Sequence, residues 1–210
     1  MKKANYIVFD CETGGVEKDK NPITQMALLT LDGTTLKELN RFEFYIAPYD
    51  DLVITKKALE MTGLKMKDIE GGYSKEDAVT ILRDYFQESM PAKHPSNRPV
   101  MIGHNVPFDL GMTGSLFERC GKNLYDYIND SHIDTMTLAK MYDPAAALDS
   151  LALGNVCARY GIKLKSAHRA MPDVVATSQL FRYFTMLMRD SGANVDLDDK
   201  VTKKRETFQF

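Results

Sequence analysis

Tyr6-Ile7-Val8-Phe9 is an unbroken apolar run, and it passes directly into Asp10-Cys11-Glu12-Thr13-Gly14-Gly15. An apolar run without alternation reads as a strand covered on both faces, so helices or a second sheet must lie on each side of it. That requirement points to a layered α/β chain. Ile23 to Leu31 and Leu39 to Ile46 flank the turn pair Asp32-Gly33, the pattern of a hairpin. Phe42, Phe44 and Ile46 alternate with Arg41, Glu43 and Tyr45, giving the second of these strands one apolar face. Val100 to Gly103 reads as a fourth short strand. From Ser74 onward, helical spacing takes over. Val79, Leu82 and Phe86 share a face between Ser74 and Met90, with Ser74 as N-cap and Asp77 in the first turn. Pro107 to Cys120, Thr135 to Tyr142, Ser150 to Tyr160 (after a helix start at Asp149) and Pro172 to Arg189 are further helices. Met90 to Pro99 carries three prolines and reads as a loop. The result is a mixed sheet covered by helices.

The 210 residues fit one domain, 1–189, followed by a tail, 190–210, where the pattern fades. The tail runs from acidic to basic, with Lys203-Lys204-Arg205, and is expected to be flexible. No apolar run approaches the ~20 residues that cross a bilayer. The basic start is followed by an apolar run too short for a signal peptide. Cys11, Cys120 and Cys157 are odd in number and lack metal-ligand spacing, so a reduced, cytoplasmic chain without a membrane partner is expected. The net charge of −2 gives no electrostatic case for nucleic acid and none against it, since divalent ions on clustered acids would reverse its sign.

The acids are the unusual feature. Asp10 and Glu12, two apart in a strand, share a face, and Gly14 and Gly15 let the chain turn beyond them. Alone, an exposed strand end with two solvated acids explains them as well as a cation site does. Asp109 lies at the start of a helix, on one stripe with Met112, Leu116 and Cys120. Asp173 likewise heads a stripe of Ala176, Thr177, Leu180 and Phe184, with His168 five residues before it. A carboxylate answering a helix dipole explains an acid in the first turn, but not its place on the apolar stripe. Four acids at element ends, aimed at one interior, need divalent cations to be held together. All-oxygen ligands favour Mg²⁺ or Mn²⁺ over zinc. Two such ions suit in-line displacement at phosphorus, with a neutral imidazole taking the proton of the attacking water.

These residues resemble the DnaQ-like, or DEDDh, 3′–5′ exonucleases. The family's Asp-x-Glu-Thr-x-Gly motif is matched from Asp10 to Gly15, with Gly14 in place of the commoner second Thr. His-Asn-x-x-Phe-Asp is matched from His104 to Asp109, and His, four residues, then Asp by His168 and Asp173. The resemblance spans about Tyr6 to Met188. It implies an RNase H-like fold whose five-stranded mixed sheet is flanked by helices, with the fifth strand near Ile128 to Ile133. It also implies that Asp10, Glu12, Asp109 and Asp173 hold two Mg²⁺ or Mn²⁺ ions, with His168 as general base. Thr13 and Gly14 would meet the terminal nucleotide through backbone amides and Phe108 would lie beside it. His104 and Asn105 would serve the same substrate side, His104 by ordering the site. Gln25 and Met61-Thr62-Gly63-Leu64 depart from the residues common in the family.

The activity so implied is release of 5′-mononucleotides from 3′ ends, single-stranded DNA being favoured over RNA. Two alternatives are an exoribonuclease and a proofreading or processing subunit of a replication complex with a polymerase partner. A phosphatase of the haloacid-dehalogenase type fits less well, because Glu12 replaces its second Asp and no late Asp-Asp pair is present. Asp134 reads as an N-cap. Lys163, Lys165 and Arg169, beside His168, suit phosphate tracking and a solvated loop equally well.

Overall fold

The computed structural model describes residues 3–143, 150–165 and 168–192. A five-stranded sheet runs in the order β3-β2-β1-β4-β5. Its strands are β1 (Tyr6–Thr13), β2 (Ile23–Leu31), β3 (Glu38–Tyr45), β4 (Val100–Gly103) and β5 (His132–Asp134). The helices are α1 (Lys56–Thr62), α2 (Met66–Glu70), α3 (Lys75–Glu88), α4 (Val106–Arg119), α5 (Thr135–Tyr142), α6 (Leu153–Arg159) and α7 (Ala170–Gly192). β1 pairs antiparallel with β2 and parallel with β4, so the sheet is mixed.

Strand alternation sorts the core into two layers. Ile7, Phe9 and Cys11 of β1 pack with Met26 and Leu28 of β2 against α3 and α4. Val8, Ala27 and Leu29 face the other way, onto Val174 and Phe181 of α7. β2 is buried along its whole length, as its covered position requires. Ala176, Leu180 and Phe184 of α7 form a third cluster with α5 and α6. Asp10 and Glu12 continue the Val8 face, so both acids point to the side where α7 lies.

The expected fifth strand is real but sits at His132–Asp134, and Ile128 is instead a buried core residue outside any strand. α6 is shorter than the Ser150 to Tyr160 expectation, beginning at Leu153. The helix start at Asp149 and the tail from residue 193 lie outside the described residues. Among the described residues no helix is long and apolar enough to cross a membrane.

Candidate active site

β4 pairs with β1 only from Tyr6 to Val8, so among the described residues the end of β1 has no strand beside it on that flank. α4 fills the gap. Asp109, only 4% exposed, accepts the Cys11 amide at 3.0 Å and the Cys11 thiol at 3.1 Å, both on Oδ1. The turn into α4 passes through Asn105, whose φ of 67° is left-handed, and its N–H donates to Asp134 Oδ1 at 2.9 Å. Asp134 also caps α5, accepting Met136 N–H at 2.9 Å. The cap was legible from sequence. Its second bond, which ties the His104–Asp109 segment to β5, was not.

From the other side α7 brings Asp173. The ligand oxygens of Asp10, Glu12 and Asp173 all lie within 4.8 Å of one another. Asp173 Oδ2 accepts the His168 amide at 3.1 Å, while Oδ1 is buried without any hydrogen-bond donor among the described residues. An orphaned buried carboxylate oxygen costs about 1–3 kcal/mol or more, because it has lost water and gained nothing. Burial and the Asp109, Glu12 and Asp173 charges push Asp10 well above the usual carboxylate range. Burial, then Asp173 and Asp109, raise Glu12 to about 7, with Arg169 opposing. Burial lifts Asp109 and Asp173 to about 6 each, against the hydrogen bonds from Cys11 and His168. An all-oxygen set, an orphaned acceptor and mutually repelling acids fit a hard divalent cation. Asp109 stands just outside the trio, one of its oxygens already taken by Cys11.

The two histidines differ sharply. His104 is engaged at both nitrogens, with Thr135 Oγ1 at 2.9 Å from Nδ1 and the Leu151 carbonyl 2.6 Å from Nε2. Nε2 must therefore carry the proton it donates to Leu151. His168 is exposed, holds a left-handed φ of 64°, and its ring has no hydrogen-bond partner among the described residues. A left-handed non-glycine residue costs roughly 1–2 kcal/mol, so the surroundings must hold it there. The bond from its amide to Asp173 is one such restraint.

Beyond Glu12, β1 ends at a cleft of about 530 Å³ lined by Thr13, Val16, Lys20, Asn21, Thr55 and Met61. Gly14 is pinned there. Its N–H donates to the Pro22 carbonyl at 2.8 Å, and its carbonyl accepts Thr55 N–H and Oγ1–H at 2.8 and 2.9 Å. A Cβ at Gly14 would lie 2.8 Å from Val53 O and from Pro22 Cδ. The amide expected to meet a nucleotide is thus already spent within the turn, and Gly14 serves by close packing. Phe108 is half-buried against the α3–α4 core. Gln25, fully buried opposite Glu12 in the β1–β2 register, donates to Glu43 Oε1 at 2.9 Å. The same oxygen accepts Met171 N–H at 3.3 Å, which anchors the start of α7 over the acids. A glutamine inside a wholly buried strand was the sequence signal for that link.

The family model described as exonuclease (RNase_T) matches residues 7–181. The chain belongs to this exonuclease family. Ribonuclease T of Vibrio campbellii is 25% identical over 182 residues, covering 83% of this chain and 82% of that protein. The PolC-type DNA polymerase III of Pediococcus pentosaceus is 24% identical over 184 residues, or 88% of this chain. Those residues make up only 12% of the polymerase, so the chain spans about an eighth of that relative. E. coli exonuclease I, solved in complex with a dT13 oligonucleotide, superposes with a TM-score of 0.70 at 20% identity. It is covered over 86% of this chain and 41% of its own, and it shares the exonuclease family's RNase H-like fold.

Proposed function

We propose that the protein is a metal-dependent 3′–5′ exonuclease that releases 5′-mononucleotides, with single-stranded DNA the favoured substrate. The observation that carries this reading is the convergence of Asp10, Glu12 and Asp173, whose ligand oxygens lie within 4.8 Å of one another, with Asp109 beside them and one buried Asp173 oxygen unpartnered among the described residues. These four acids would hold two Mg²⁺ or Mn²⁺ ions. When bound, such ions activate water, polarise the phosphoryl group and stabilise the departing 3′-oxygen. His168, whose ring has no hydrogen-bond partner among the described residues, accepts the proton of the attacking water. His104, spent on Thr135 and Leu151, orders the segment that carries Asn105, Phe108 and Asp109. The cleft beyond Glu12 takes the terminal nucleoside between Thr13 and Met61, with Phe108 on the α4 side. The phosphorus–O3′ bond breaks, leaving a 5′-monophosphate and a new 3′-hydroxyl.

DNA as substrate is supported by the oligonucleotide held in the related exonuclease I structure. Ribonuclease T matches over most of its own length, which favours RNA as the second reading. The likeness to PolC-type polymerases supports a role beside a replication polymerase. A 5′-labelled single strand of DNA or RNA, incubated with Mg²⁺ or with chelator, tests the reading. Metal-dependent shortening by single nucleotides is expected. A label released at once, or internal cuts in a circular strand, would overturn it.

A further inference from the structure

Beside the start of α7 lies a second concavity, of about 630 Å³, that the chemistry above does not use. Its lining includes Arg41, Lys163, Lys165, Met171, Pro172 and Val175, and among the described residues no acidic side chain. The lysines are there for a packing reason. Ile162 and Leu164 turn inward onto the α5–α6–α7 cluster, so alternation sends Lys163 and Lys165 outward. Neither lysine has an ion pair or hydrogen bond among the described residues. Arg41 differs, since Glu38 holds it through two bonds of 2.6 and 2.7 Å. Two unneutralised cations thus face an apolar floor in a chain whose net charge is −2. The floor matters, because apolar walls weaken solvent screening of the charges above them. Pro172, which lines the groove, directly precedes Asp173 in α7, so the two lie within one helical turn of each other.

We infer that this groove is an accessory site for the sugar–phosphate backbone of nucleic acid outside the catalytic cleft, with Lys163 and Lys165 neutralising two phosphates. The inference rests on the exonuclease reading and deepens it, since it makes a chain longer than the few nucleotides at the cleft the preferred substrate. Short substrates that fill only the cleft gain nothing from the groove.

The test compares the wild type with Lys163→Ala/Lys165→Ala and with Lys163→Arg/Lys165→Arg. Binding of a fluorescent 20-nucleotide single strand is followed by anisotropy in Ca²⁺ across a salt series. Hydrolysis of the p-nitrophenyl ester of thymidine 5′-monophosphate is followed in Mn²⁺. The alanine pair is expected to bind the strand several-fold more weakly. Its log–log salt slope should shrink by about 1.4, two phosphates at about 0.7 each. Its ester hydrolysis should be unchanged, and the arginine pair should bind as the wild type does. An unchanged salt slope overturns the inference. So does an equal loss on the ester, which would mark a damaged catalytic loop instead of a lost backbone contact. A wild type that fails to shorten strands from the 3′ end would sink the exonuclease reading itself, separately from the groove.

Discussion

Glu12→Gln in the metal-free protein should raise stability at high pH and leave it nearly unchanged at low pH. Burial and the charges of Asp173 and Asp109 raise the Glu12 carboxyl from 4.5 to about 7. In the unfolded chain it ionises near its ordinary value, so the folded state binds the proton more tightly. That contribution is complete below about pH 4.5 and is lost as pH rises through about 7. At about 1.4 kcal/mol per unit, the ionised side chain costs up to about 3 kcal/mol above pH 7. The amide keeps the shape and removes the charge. For a domain of this size 1 kcal/mol is worth about 2–4 °C, which gives a gain of up to about 6–12 °C near pH 8.5. Near pH 5 the same arithmetic leaves under about 1 kcal/mol. Thermal melts in chelator at both pH values measure this directly, and melts in millimolar Mg²⁺ should show the variant gaining less than the wild type. Equal melting temperatures at high pH, or a gain that does not depend on pH, would refute the claim that the acids repel within one site.

Alanine at Asp10, Asp109 or Asp173 should remove nearly all nucleotide release, read as product per enzyme on a labelled strand. His168→Ala should fold normally and lose roughly 10²–10⁴-fold in rate, together with the rising limb of the pH–rate profile. His104→Ala should instead melt lower, by about 1–3 kcal/mol for the partners it leaves unsatisfied, and keep that rising limb. Gly14→Ala should destabilise the domain by about 1–3 kcal/mol in denaturant titration, because its Cβ meets the Val53 carbonyl at 2.8 Å.

What sequence revealed follows the physics of each element. β2 and β4 were legible to the residue, since buried apolar strands bounded by turn residues leave little choice of ends. β1 was legible past its apolar run, because the shared face of Asp10 and Glu12 requires a strand that continues through them, and it ends at Thr13 before the paired glycines. β5 has three half-buried or exposed residues and no periodicity to detect. α1 and α2 were missed entirely. Exposed Lys57, Glu60 and Met61 hide the apolar face of α1, although Thr55 as N-cap and Gly63 at φ 66° as C-cap mark its two ends. The four acids were legible because each sat where an apolar residue was expected. Their geometry was not, since the Cys11–Asp109 bonds and the Gln25–Glu43–Met171 link join residues far apart in sequence. The Gly14 amide bond to Pro22 is local, yet periodicity carries no information about which loop carbonyl it meets.

In the proposed reaction Asp10, Glu12, Asp109, Asp173 and His168 direct water onto the phosphorus of the last phosphodiester of a strand. Digestion of a trinucleotide with Mg²⁺ in oxygen-18 water, followed by mass spectrometry of the products, reads the site of attack. One labelled oxygen is expected in the 5′-phosphate of the nucleotide freed from the 3′ end, and none in the 3′-hydroxyl left behind. Nucleoside 3′-phosphates or cyclic phosphates, or first release from the 5′ end, would contradict it.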